Sequence, residues 1–68
     1  MKDFLGNEII NDDHVAAIYN QHFVIGKVRL CKKQLAITII NKKHVIHKYP
    51  YDCIKVSQAD VATFLLTL

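Results

Sequence analysis

The residues of this chain capable of chemistry are four histidines, two cysteines, one serine and six carboxylates, and their spacing argues against most of it. His44 and His47 are three apart, which on a helix would place them on one face. On a strand they point to opposite faces and cannot share an ion. Neither Cys31 nor Cys53 has a second ligand close by in sequence, so no metal site is expected. An isolated cysteine pair reads as reduced core thiols rather than a disulfide framework, and inside apolar strands a thiolate is disfavoured. Ser57 is accounted for as a helix cap, and the adjacent carboxylates of Asp12 and Asp13 as a turn at a strand entry. With only Gly6 and Gly26, there is no glycine-rich loop to cradle phosphate. The expectation is a chain that is not an enzyme and carries no cofactor.

Charge gives the stronger signal. Residues 1–26 hold Lys2 against Asp3, Glu8, Asp12 and Asp13, a net of −3, whereas residues 27–55 hold eight cations against Asp52, a net of +7. Such asymmetry within one domain creates a local positive field, the electrostatic footprint of nucleic acid; a solvated lysine face has the same composition. Lys27 and Arg29 share one face of a strand, with Lys32 and Lys33 at the next turn and Lys42 and Lys43 at the one after. Those six are the candidate phosphate-binding residues, because cations on phosphate release condensed counterions. Tyr19, Phe23, Tyr49 and Tyr51 lie nearby in sequence; they are either stacking surface for bases or core.

The elements that must position these residues are mostly strands. Runs rich in Val and Ile, cut at short intervals by polar residues, predict strands at 14–20, 22–31, 34–40, 43–48 and 53–56. The breaks are short enough for hairpins, so neighbouring strands should pair antiparallel and curl into a small barrel that hides its edges. Alternation predicts a core of Val15, Val24, Val28, Leu35, Ile37, Val45, Ile54 and Val56. Gly26 in mid-strand suggests a bend or bulge, and Pro50 a helical turn before the last strand. The tail changes period: Ser57 and Asp60 have capping-box spacing, and Val61, Phe64, Leu65 and Leu68 form one helical stripe. A helix over about 57–67 should pack across one opening of the barrel.

Sixty-eight residues make one domain, spanning 1–68, and a chain this short buries only about 60% of its unfolded surface. Phe23, Ile25, Phe64 and Leu65 are apolar residues left over from the predicted core, and hence a candidate protein interface or homodimer contact. The N-terminal stretch lacks the apolar region of a secretory signal, and no apolar run approaches the ~20 residues of a membrane span. A cytoplasmic protein without a membrane partner is expected.

Together the stretches "DFLGNEI", "DDHV", "IGKV" and "KYPYDCIKV" resemble small KOW-type, SH3-like barrel proteins of tailed phages, among them the N-terminal part of MotB-like early proteins. The resemblance implies a five-stranded antiparallel SH3-like barrel in a phage-encoded accessory protein of the host cytoplasm. Some such relatives bind DNA or RNA. It equally admits a module that binds a host protein, since SH3-like barrels do both. One departure stands out: that pattern usually has glycine before the first-turn aspartate, where this chain has Asp12.

Overall fold

Left-handed turn residues set the strand order. The computed structural model describes residues 1–40, 42 and 44–66. It places strands β1 at His14–Tyr19, β2 at His22–Cys31, β3 at Gln34–Ile39, β4 at Val45–Lys48 and β5 at Ile54–Val56; a 3-10 turn lies at Pro50–Asp52 and helix α1 at Gln58–Leu66. Asn20 and Gln21 both take positive φ, 51° and 65°, the type I′ geometry whose twist matches that of the flanking strands. Lys32 takes φ 55° in the two-residue turn bracketed by the Cys31–Gln34 pair. The strands form one open antiparallel sheet in the order β4-β3-β2-β1-β5; among the described residues no pairing joins β4 to β5.

β1 begins at a bulge. The Asp13 N–H donates to Ile10 O (3.2 Å) across a turn whose third residue, Asp12, has φ 74°. The Asp12 N–H then donates to Val28 O (2.9 Å) while the Val28 N–H donates to Asp13 O (2.8 Å), so two residues oppose one. This is a G1-type bulge with aspartate at the left-handed position that glycine favours. Gly26 lies within unbroken register, paired with Val15 and Ile39, so it is not a bulge. A Cβ there would lie 2.5 Å from Ile37 Cγ2 and 2.6 Å from Thr38 O; glycine is required by the close approach of β3.

The sheet buries both faces unequally. On the main core face Val15, Val28, Leu35 and Ile37 are fully buried together with Ile9 and Cys53, and Ala17, Val24, Ile39 and Ile46 complete the cluster. Among the described residues the reverse face buries Ala16 and Ile25, under Val61 of α1, with Ile40, Val56 and Phe64 packed around them. The helix therefore covers the back of β1 and β2 rather than an opening of a barrel. It starts at a reciprocal capping box: the Asp60 N–H donates to Ser57 Oγ (3.2 Å) and the Ser57 N–H to Asp60 Oδ2 (3.1 Å).

Three expected core residues are corrected. Val45 is 49% and Ile54 40% exposed, and Val56 is only half-buried, against the back of the sheet. Pairing of Ile37 with Ile46 puts Ile46 inward and Val45 outward; Cys53 takes the inward place ahead of Ile54. A one-residue slip exchanges the faces of a whole strand.

The N-terminal segment is held by one carboxylate. Asp3 is buried, and its Oδ1 accepts the N–H groups of Leu5 (2.9 Å) and Asn7 (2.7 Å). Its Oδ2 accepts the Lys55 N–H of β5 (2.7 Å) and Asn7 Nδ2 (3.3 Å). The Phe4 N–H donates to Cys53 O (2.9 Å), so residues 3–7 cover the outer edge of β5. Burial raises the Asp3 pKa, but the hydrogen bonds from Lys55, Asn7 and Leu5 together outweigh it and hold the carboxyl below its ordinary value.

Three outcomes follow. Ile46→Ala should cost on the order of 2–4 kcal/mol in denaturant unfolding, and Val45→Ala under about 1; equal costs would contradict the β4 register. Asp12→Gly should raise the unfolding free energy by about 0.5 kcal/mol, and the midpoint with it, by relieving left-handed strain, because the exposed Lys27–Asp12 pair it removes, 3.9 Å apart, contributes little. A lower midpoint would show the ion pair to be the larger effect. Asp3→Asn should cost about 2 kcal/mol at neutral pH. Since the folded-state pKa is depressed, that stability is present above the unfolded value near 3.9 and lost as pH falls through the folded one. The gap between wild type and Asp3→Asn should thus narrow below about pH 4; a gap as wide at pH ~3 as at neutrality would be inconsistent with an ionised Asp3.

Candidate nucleic-acid interface

The six basic residues do not form one patch. Lys27 and Arg29 lie on the face of β2 that turns away from the main core, in rows with Thr38 and Ala36 of β3. Lys32 and Lys33 sit in the β2–β3 turn, Lys42 in the β3–β4 connection at the other end of β3, and Lys43 lies outside the described residues. The six residues of β3 separate the two turns by roughly 20 Å. Acidic groups from the first half of the chain claim two of the cations. Lys27 Nζ is 3.9 Å from Asp12 Oδ1. Lys55 Nζ is 3.3 Å from Asp13 Oδ2 and donates to Glu8 O at 3.1 Å. The Asp13 carboxyl is held below its ordinary pKa chiefly by the hydrogen bond from the Ile10 N–H, with burial opposing and Lys55 assisting. Among the described residues Arg29, Lys32, Lys33 and Lys42 carry no ion pair; three of these four cluster at one end of the sheet.

That end also carries a cavity and the exposed tyrosines. Cys31, Lys32, Lys33, Gln34 and Tyr49 line a space of about 400 Å³. Tyr49 stacks on Tyr51, ring centroids 5.2 Å apart and planes 17° from parallel. The two tyrosines flank Pro50 in sequence, and Pro50 is buried and starts the 3-10 turn; Tyr51 is 60% exposed. The Asp52 N–H donates to Tyr49 O (3.0 Å) and the Cys53 N–H to Pro50 O (3.0 Å), fixing the turn between β4 and β5. Of these site residues, Gln34 had no signal in the sequence. Cys31 is exposed in the lining rather than a core thiol. Cys53 is the buried one, its thiol pushed up to about 11, first by burial.

The remaining candidates separate differently. Ile25 is 3% exposed beneath α1 and belongs to the packing of the helix, so it is not available as an interface residue. Phe23 is 57% and Leu65 43% exposed; Phe64 is half-buried, its ring 6.4 Å from that of Phe23. Tyr19 packs against the main core, and its Oη lies 2.8 Å from His44 Nε2. Among the described residues no group of three or more His, Cys, Asp or Glu side chains converges on a point fit for a metal ion. No described helix is long and apolar enough to cross a membrane. Compared with protein-family models, curated proteins and solved structures, the chain matches none.

Proposed function

We propose that this chain is a non-enzymatic nucleic-acid-binding module of low sequence specificity, built on a small SH3-like barrel. The strand order β4-β3-β2-β1-β5, with a 3-10 turn leading into β5, supports the SH3-like reading. The observation that carries the function is that Lys32 and Lys33, without acidic partners among the described residues, line one space with Tyr49, which stacks on Tyr51. Cations fix a phosphate backbone, and aromatic faces hold bases regardless of sequence. On the resemblance described above, the module is a phage-encoded accessory protein that modulates host or phage gene expression in the host cytoplasm. A second reading, a protein-binding module that redirects a host factor or pairs with a second copy, draws on exposed Ile18, Phe23 and Leu65 at the margin of α1.

Salt titration separates the two. On duplex DNA each phosphate contact gives a log–log slope of about −0.9, and a surface this small makes about three contacts. Replacing Lys32 and Lys33 by glutamine should flatten the slope by up to about two units without altering the melting curve. No shift of duplex or single-stranded probes even at ~50 mM salt would overturn the nucleic-acid reading. A partner lost on Phe23→Ser but indifferent to the lysine changes would favour the protein-binding one.

A further inference from the structure

We infer that the cavity between the β2–β3 turn and Tyr49 is a subsite for one unpaired nucleotide, which makes single-stranded nucleic acid the preferred partner over duplex. The inference rests on the nucleic-acid reading of the same end of the sheet and names its substrate class. Three observations converge. The cavity, about 400 Å³, lies in the range of small-ligand sites, ~300–1,000 Å³, and is far too small for a duplex. Lys32, Lys33, Gln34 and Tyr49 all line it, residue types able to hold phosphate, hydrogen-bond a base edge and stack on a base. The Tyr49–Tyr51 stack is near parallel at 5.2 Å and more than half of Tyr51 is exposed, extending the aromatic platform to a neighbouring base. A base paired within a duplex has its faces covered by its neighbours, whereas an unpaired base presents its face to an aromatic ring.

Charge gives the site a direction. Asp52 follows Tyr51 in the 3-10 turn and does not line the cavity, so phosphate is repelled from that side and drawn to the Lys32–Lys33 turn. Gln34 provides an amide able to donate and accept, which suits base edges without selecting one. Weak sequence preference follows.

The test measures anisotropy of labelled 12-nucleotide DNA and RNA single strands of one sequence, and of the corresponding DNA duplex, at one salt concentration. The single strands should bind at least about tenfold tighter than the duplex, the scale of one stacked base. Tyr49→Leu should remove that advantage while leaving the salt slope unchanged. Tyr49→Trp should restore it, with indole emission quenched on binding. The DNA and RNA arms read whether a 2′-hydroxyl is used. Equal affinity for single strand and duplex, or a Tyr49→Leu variant that binds single strands as wild type does, overturns the subsite; the broader reading then survives if Lys32→Gln with Lys33→Gln still weakens binding. Absence of binding to every probe overturns both.

Discussion

One buried carboxylate holds the ends of this fold together. Asp3 accepts hydrogen bonds from Leu5 and Asn7 in its own loop and from Lys55 in β5. With those donors it closes the N-terminal loop and shields the edge of a strand only three residues long. Were the carboxylate absent, two backbone N–H groups of that loop and one of β5 would lack partners, each a substantial loss when shielded from water. Among the described strands β5 in turn pairs with β1 alone, and Cys53 just ahead of it belongs to the main core. The position of the 3-10 turn, and of the tyrosines on it, depends on this edge being secured.

The same acidic half of the chain shapes the electrostatics of the basic half. Asp12 and Asp13, set in the bulge at the entry to β1, sit opposite Lys27 and Lys55. Lys55 is held by Asp13 and Glu8 O, and the acidic charge beside Lys27 leaves the positive field weighted toward Arg29, Lys32 and Lys33 at the far end of β2. A segment of +7 by sequence thus becomes a smaller, localised source. It lies next to aromatic rings that the core does not use, because Pro50 rather than either tyrosine fills the interior at that corner.

Elements governed by local chemistry were legible in the sequence. The capping box at Ser57 and Asp60, the short hairpin breaks and the Pro50 turn are each specified within a few residues, and all five strands and the helix occur where periodicity places them. Features that rest on distant partners were not. Val45 and Ile46 are adjacent and both apolar, so the inward residue is decided by pairing with β3 rather than by alternation. The hydrogen bond between Asp3 and Lys55 spans 52 positions, and a lone aspartate near the start of a chain reads as surface charge. At the site, the lysines were legible as residue types but not as a grouping: pairing with Asp12 and Asp13, and the separation of the two turns along β3, divide them. Ile25 looked like spare apolar surface because a flat strand gives no hint that a helix from the far end of the chain will cover it.

Amide chemical-shift mapping during titration with a single-stranded oligonucleotide reads, residue by residue, where a nucleic acid touches this surface. Perturbations concentrated at Arg29, the Cys31–Gln34 turn and Tyr49–Asp52, with little change at Phe23, Phe64 and Leu65, are the predicted result. Perturbations confined to the α1 margin, or none at all, would contradict it.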